Sequence, residues 1–221
     1  MLRRVQGQLG DCYFLAVVAA IAQTDPNQIR QDVVQLDDGT FMVRFENTSG
    51  QTTYEHVDAE LPAYNDDGLL AFAQLGQGNS LWVAVMEKAF AVYRDGADSY
   101  ANLNSGWMAE VYNDLGLTST DTLQSSQTSA ASLLETIQSD LSQGEAVTVA
   151  VLNVYQAAPL ISEHAYTVSA VIMQNGIWVG LMLRNPWGTV GVGNYPSNGG
   201  YLVLTPEQAF ANVFTVTAAA A

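Results

Sequence analysis

Apolar and polar residues follow a helical period in the first part of this chain of 221 residues and a strand-like period in the last part. The apolar run YFLAVVAAIA predicts a helix over residues 11–23, for which Asp11 is the expected N-cap. Because this helix is apolar on nearly every side, we expect it to lie at the centre of the fold. The segment NSLWVAVMEKAFAVYRDG carries apolar residues at helical spacing and predicts a second helix over residues 79–96, which ends at Gly96.

Alternating patterns predict the strands. GTFMVRFEN (39–47) and TTYEHVDAELP (52–62) alternate apolar and polar residues, as two paired strands do. A segment rich in serine and threonine, residues 117–132, we interpret as a boundary that leads into a helix over residues 131–143. Short β-like runs follow, at residues 146–153, 165–173, 176–185 and 200–206.

The order of these elements indicates the fold class. Helices dominate first and strands later, which is typical of an α+β protein. We place an N-terminal lobe at residues 1–118 and a β-rich C-terminal lobe at residues 119–221, which together form one core. Beyond the alanine-rich tail at residues 218–221, the sequence has no low-complexity segment and no internal repeat.

Charge and composition exclude several functions. The 22 acidic and 7 basic residues give a net charge of −15, which repels phosphate backbones and excludes nucleic acid as a partner. The same charge suits basic substrates or a salty medium. No apolar run reaches the roughly 18 residues of a membrane span, and the N-terminus does not read as a signal peptide. We therefore expect no membrane partner, and a cytoplasmic rather than a secreted location.

One cysteine and a few polar residues could form a nucleophilic site. Cys12 stands at the first turn of the predicted helix, where the helix dipole and a neighbouring histidine would favour its thiolate. Such a site needs a histidine to move protons, a group that orients it, and donors for an oxyanion. His164 begins a predicted strand, Asn185 ends the next one, and Gln6 precedes the cysteine by six residues. A hairpin between the two strands would bring His164 and Asn185 together.

Each of these residues also has a structural interpretation. A lone cysteine in an apolar helix is more often an inert core residue, and a lone histidine beside a strand more often supports the structure. Asn-Pro is first of all a turn signal, and Trp187 beside it is first of all a core or lid aromatic. The combination, and no single residue, indicates catalysis.

Four motifs resemble those of a known family. QGQLGDCYFLA, LWVAVMEKAFAVYRDGADSY, EHAYTVSAV and LRNPWG are similar, in this order, to the motifs of calpain-type cysteine proteases. They extend from residue 6 to residue 188 and so cover nearly the whole chain. The resemblance implies a papain-like fold of two lobes with the active site in the cleft between them.

The resemblance also implies a role for each residue. Cys12 would be the nucleophile, His164 the general base and acid, and Asn185 the group that orients the His164 ring. Gln6 and the backbone N–H of Cys12 would stabilise the oxyanion, and Trp187 would shield the His164–Asn185 hydrogen bond from water. The implied reaction is hydrolysis of peptide bonds in proteins or peptides through an acyl-enzyme thioester. His56 matches no motif, and we expect it to be structural or exposed.

The calcium sites of familiar calpains are not matched. Where the family has a glutamate before its Leu/Phe-Trp segment, this chain has Asn79-Ser80. Where the family has a glutamate after N-P-W-G, Thr189 stands, and the stretch TVGVGNYPSNGG contains no acid. Calcium prefers six to eight oxygen ligands, several of them carboxylates. We therefore expect no metal site and no cofactor.

Two positions beside the site depart from the family pattern. Tyr13 replaces the usual tryptophan after the nucleophile, and Glu163 replaces the usual glycine before His164. A carboxylate next to His164 would raise the pKa of the imidazole if it turned inward. Because neighbouring side chains in a strand point to opposite faces, we expect Glu163 to point away.

Three functions remain compatible with the sequence. The first is a calpain-like endopeptidase that forms part of a larger multidomain protein. The second is a papain-fold acyl transferase, since the same residues can pass the thioester to an amine. The third is a catalytically silent interaction module, against which the presence of all four of Cys12, His164, Asn185 and Gln6 argues.

Overall fold

The structure is a computed structural model that describes residues 9–64, 70–73, 80–96, 99–188 and 199–221. This part of the chain contains six α-helices and nine strands. The helices are α1 (Cys12–Thr24), α2 (Pro26–Asp32), α3 (Trp82–Asp95), α4 (Met108–Asp114), α5 (Ala130–Ser142) and α6 (Pro206–Asn212). The strands are β1 (Val33–Gln35), β2 (Phe41–Glu46), β3 (Thr52–Val57), β4 (Ser119–Leu123), β5 (Glu145–Val151), β6 (His164–Gln174), β7 (Ile177–Arg184), β8 (Tyr201–Leu204) and β9 (Thr215–Ala220).

Two antiparallel sheets divide the strands. The small sheet has the order β1-β2-β3, and the large one has the order β4-β9-β5-β6-β7-β8. Helices and the small sheet make up the N-terminal part, whereas the C-terminal part is rich in strands, which confirms the predicted α+β class. β4, the first strand of the large sheet, begins at Ser119. The division into lobes at residues 118 and 119 stays a prediction.

Helix α1 lies at the centre of the molecule, as its apolar sequence predicts. Eight of its thirteen residues are buried, and Phe14 stacks on Phe90 of α3 with the ring centroids 4.3 Å apart. The same core cluster includes Ala150 of β5 and Ala165 of β6. A second cluster lies between α5, α6 and the large sheet. Since α1 contacts both parts of the fold, its N-terminus is presented between them.

Asp11 is the N-cap residue of α1, as predicted, but its side chain does not cap the helix. Asp11 occupies the N-cap position of α1, but its carboxylate makes no capping hydrogen bond. Its backbone carbonyl accepts from the N–H groups of Phe14 and Leu15, and its side chain lies fully buried against Glu87. Burial and the neighbouring Asp11 raise the pKa of Glu87 well above its usual value. The carboxylate of Asp11 therefore belongs to the interior rather than to the helix terminus.

The remaining predicted elements are present with shifted ends, and several elements were not predicted. Helix α3 ends at Gly96 as predicted, in the left-handed conformation with φ of 65°. Strand β4 lies inside the segment interpreted as a boundary, and the alanine-rich tail belongs to β9, an inner strand of the large sheet. Within the described residues, no helix is both long and apolar enough to cross a bilayer.

Candidate active site

Cys12 is the first residue of α1, and its half-buried side chain faces a cleft of about 520 Å³. One wall of the cleft comes from the α1 side and includes Gly106 and Trp107, which precede α4. The opposite wall comes from the large sheet and includes His164 and Trp187. The fold thus brings Cys12 and His164, 152 positions apart in the sequence, to one cleft.

The hairpin β6–β7 joins His164 to Asn185. His164 is the first residue of β6 and Asn185 directly follows β7, which pairs with β6 in antiparallel register. Nε2 of His164 lies 2.9 Å from Oδ1 of Asn185, and both residues are buried. The same oxygen accepts a hydrogen bond from the backbone N–H of Trp187 at 2.9 Å. These two contacts fix the Asn185 carboxamide with its oxygen toward the imidazole.

Aromatic rings flank the imidazole. The ring of Trp187 lies 4.6 Å from that of His164, at an angle of 57°, and Tyr166 meets the imidazole edge to face at 4.9 Å. The Tyr166 hydroxyl accepts a hydrogen bond of 2.8 Å from the N–H of Ile161, in the segment before β6. Tyr166 was not among the predicted site residues, although it lies in the motif EHAYTVSAV. The available signal was its position two residues after His164, on the same face of a strand.

Burial disfavours the charged forms of both Cys12 and His164. It lowers the pKa of His164 to about 4, against the opposite effect of the hydrogen bond to Asn185. Burial also raises the pKa of the Cys12 thiol, and the charge of Asp11 adds to this effect. The backbone N–H of Ala165, and to a smaller degree those of Tyr13 and Cys12, lower that pKa in part. The predicted preference for a thiolate at this helix end is thus outweighed by desolvation.

Residues 104–106 hold the segment that precedes Cys12. The N–H of Gly10 donates to Oδ1 of Asn104 at 2.8 Å, and the N–H of Ser105 donates to the carbonyl of Gly10 at 3.0 Å. Gly106 packs so closely on the Tyr13 ring that a Cβ at this position would overlap it. This support was not predicted, because it joins residues about 94 positions apart.

Other residues singled out from the sequence lie either outside the described residues or on another part of the fold. Gln6 lies outside the described residues, as do Asn79 and Thr189 at the unmatched calcium positions. His56 is exposed on β3, where its Nε2 lies 2.7 Å from the Thr40 hydroxyl. In the described part of the chain, no three histidine, cysteine, aspartate or glutamate side chains form a group that could hold a metal ion.

The expectation for Glu163 rests on a wrong assignment. β6 begins at His164, so Glu163 precedes the strand and the alternation of strand side chains does not apply to it. Its backbone is left-handed, with φ of 53°. The residue is exposed and lines the cleft beside His164.

This chain is similar to known proteins over most of its length. The family described as calpain family cysteine protease matches residues 3–198 of this chain. The calpain-2 catalytic subunit of Gallus gallus is 29% identical over 204 residues, which are 84% of this chain and 28% of that protein. Calpain clp-4 of Caenorhabditis elegans is 32% identical over 199 residues, which are 83% of this chain and 27% of that protein.

A bacterial relative is also similar. A thiol protease of Porphyromonas gingivalis is 28% identical over 209 residues, which are 83% of this chain and 43% of that protein. The chain therefore spans less than half of the length of these relatives. The family match covers most of the chain and includes Cys12, His164 and Asn185. This protein therefore belongs to the calpain family of cysteine proteases, as its four motifs predicted.

Proposed function

We propose that this chain is the catalytic core of a cysteine endopeptidase that hydrolyses peptide bonds in proteins or peptides. The observation that carries the proposal is the 2.9 Å contact between His164 and Asn185 in the cleft that Cys12 also lines. A histidine oriented by a carboxamide, beside a thiol at a helix N-terminus, can serve as the base for that thiol. The greater length of the relatives supports a role within a larger protein.

In this proposal, the thiol and the imidazole are both neutral at rest. The sulfur of Cys12 attacks the carbonyl carbon of the scissile bond while its proton passes to His164. The backbone N–H of Cys12 and the side chain of Gln6 stabilise the oxyanion that forms. His164 then gives the proton to the leaving amine, and an acyl-enzyme thioester remains. His164 then takes a proton from a water molecule as its oxygen attacks the thioester, and gives this proton to the sulfur of Cys12 as the acid is released.

Asn185 and Trp187 support this proton transfer. The oxygen of Asn185 accepts from Nε2 of His164, so the other ring nitrogen is the one available to Cys12. The ring of Trp187 packs on the imidazole. The backbone N–H of Trp187 donates to the Asn185 oxygen and holds it in place. A hydrogen bond kept dry in this way is electrostatically stronger than one in water.

Covalent labelling tests the proposal. The protein is treated near pH 6 with a peptidyl epoxide and, separately, with iodoacetamide, and the label is located by mass spectrometry. We expect Cys12 to react faster than free cysteine because His164 accepts the thiol proton while the sulfur attacks, so that no preformed thiolate is needed. The His164→Ala variant should slow the reaction, whereas His56→Ala, which removes the exposed histidine on β3, should not. Labelling of Cys12 at the rate of free cysteine would refute the proposal.

Digestion of casein identifies the acceptor of the acyl group. A hydrolase yields new carboxyl termini even when an amine is added to the digest. Predominant amide products would instead show an acyl transferase. Intact casein together with unreactive Cys12 would show a silent interaction module.

We further propose that the activity needs no calcium. The support comes from the sequence, since Asn79, Ser80 and Thr189 replace the acids of the family's calcium positions. Labelling of Cys12 is measured with added calcium and with a chelator. Equal rates are the expected result, and a rate that falls strongly with the chelator would contradict it.

A further inference from the structure

Glu163 lies at the rim of the cleft. Among the described residues that line it, Glu163 is the only one with an acidic side chain, and none is a lysine or an arginine. The rest of the lining is apolar or uncharged, with Trp107 and Trp187 as its largest side chains. A carboxylate with no cationic side chain among its described neighbours in the cleft favours a positive over a negative ligand.

The backbone holds Glu163 at this rim in an unfavourable conformation. A φ of 53° favours glycine, and Glu163 is one of three non-glycine residues with positive φ in the described part of the chain. The N–H of Glu163 donates to the carbonyl of Leu152 at 3.1 Å, which fixes the residue ahead of β6. Residues held in such conformations cluster at functional sites, where the surrounding structure enforces them.

The carboxylate of Glu163 is available to a ligand. Within the described residues, no lysine or arginine forms an ion pair with it. The ion pairs between described residues join Arg44 to Asp32, Lys88 to Asp58, and Arg94 to Glu110 and Asp114. The Glu163 side chain is exposed, so a substrate that enters the cleft can reach it.

The chemistry of the proposed reaction indicates which part of a substrate lies beside Glu163. His164 must deliver its proton to the leaving amine, so the residue that carries this amine lies against His164. That residue is the first one after the scissile bond. Its side chain therefore passes close to Glu163, the neighbour of His164, and to Trp187, whose ring is 4.6 Å from the imidazole.

We propose that Glu163 selects a lysine or arginine as the first substrate residue after the cleaved bond. This inference rests on the proposed endopeptidase function. The carboxylate binds the cationic head, while the methylene groups of the substrate side chain pack on the apolar part of the cleft near Trp187. The net charge of −15 attracts cationic peptides to the protein before they reach the cleft.

Matched peptides test this selection. Internally quenched peptides of one sequence carry lysine, glutamine or glutamate directly after the scissile bond, whose position is checked by mass spectrometry. We expect kcat/KM to be about fivefold higher for lysine than for glutamine, the upper range of an exposed ion pair, and lowest for glutamate. Added salt should reduce the preference, because it screens exposed charges.

Variants assign the preference to Glu163 rather than to the overall charge. Glu163→Gln and Glu163→Gly should make the lysine-to-glutamine ratio fall to about one, and Glu163→Lys should favour the glutamate peptide. Glycine suits the left-handed backbone, so Glu163→Gly keeps the test valid if another variant folds poorly. The matched control is Glu135→Gln, which removes the same charge from the exposed face of α5 and should leave the ratio unchanged.

Labelling of Cys12 by iodoacetamide separates the two proposals. If Cys12 is unreactive and no peptide is cleaved, the proposed function and this inference fail together. If the peptides are cleaved with equal efficiency by the wild-type protein, only the role of Glu163 is wrong. A lysine preference that Glu135→Gln and Glu163→Gln reduce equally would likewise overturn that role, because it would arise from net charge.

Discussion

The two walls of the cleft hold their candidate catalytic side chains by different physical means. Cys12 begins a helix whose buried face is almost entirely apolar, and its position follows from the packing of α1 in the core. His164 and Asn185 stand at the ends of adjacent strands, and a directed hydrogen bond of 2.9 Å sets their orientation. Packing fixes where a side chain is, whereas a hydrogen bond also fixes which way a ring or carboxamide faces.

This difference predicts different responses to substitution. On the helical wall, the loss of apolar volume should lower the stability of the whole protein. On the strand wall, the loss of a hydrogen-bonding atom should disturb the orientation of His164 and so the rate.

Removal of either the Cys12 thiol or the His164 imidazole should abolish most of the catalytic activity. We expect Cys12→Ala and His164→Ala each to lower kcat on the order of 10⁶-fold, because nucleophile and base act as a unit. The double variant should lose little more than either single one. Cleavage of a quenched peptide measures the rate, and circular dichroism checks the fold. If a folded His164→Ala variant kept a tenth of the activity, the two walls would not act together.

Truncation within the core should show that packing stabilises the helical wall. Phe14 is 0% exposed and stacks on Phe90, so Phe14→Ala should lower the free energy of unfolding by about 3–5 kcal/mol. The matched control is Phe214→Ala, since Phe214 is 39% exposed and leaves a smaller cavity. Urea unfolding followed by fluorescence measures both. Similar losses in the two variants would contradict the difference between the walls.

Protonation of buried His164, on the strand wall, should lower the stability of the folded protein at acidic pH. The pKa of this histidine is about 4 in the folded protein and about 6.5 in the unfolded chain, so the unfolded state binds the proton first. The contribution of neutral His164 to the free energy of unfolding is therefore complete above pH 6.5. It is lost as the pH falls to 4, and the total loss is about 3 kcal/mol. We expect urea midpoints to show this loss in the wild type and in His56→Gln but not in His164→Gln. A loss of equal size in His164→Gln would assign it to other groups.

Changes at Asn185 separate orientation from packing on the strand wall. Asn185→Ala removes the oxygen that accepts from both His164 and Trp187, and it should lower kcat about 10²-fold. Asn185→Asp keeps an acceptor there and adds a charge that raises the pKa of His164. It should therefore retain more activity than Asn185→Ala and move the acid limb of the pH–rate profile upward. Equal activity of both variants, with unchanged profiles, would mean that this oxygen does not orient the imidazole.

The long periodic elements and the motif residues could be predicted from the sequence. α1, α3 and α5 carry enough apolar periodicity to be recognised, and Gly96 marks its helix end correctly. The contact between His164 and Asn185 follows from two successive strands with a hairpin between them. These features depend on residues that are close in sequence, so a local sequence pattern is enough to predict them.

Other elements depend on partners that are distant in sequence. β9 is largely alanine and threonine, and β4 contains serine, threonine and aspartate, but they pair with each other across about a hundred residues. Short helices such as α4 and α6 have only seven residues, too few for a clear period. Contacts with distant partners stabilise these elements, whose own propensities are too weak to predict them.

Residue types and their spacing were enough to predict the family, the fold class and the candidate residues Cys12, His164 and Asn185. The electrostatic environment of these residues, in contrast, depends on the folded structure. In the folded protein, burial raises the pKa of the Cys12 thiol, and the Asp11 carboxylate points inward against Glu87. The fold also places Glu163 at the rim of the cleft. The reason is that residue types and spacing are written along the chain, whereas desolvation and side-chain direction depend on every element that packs around a group.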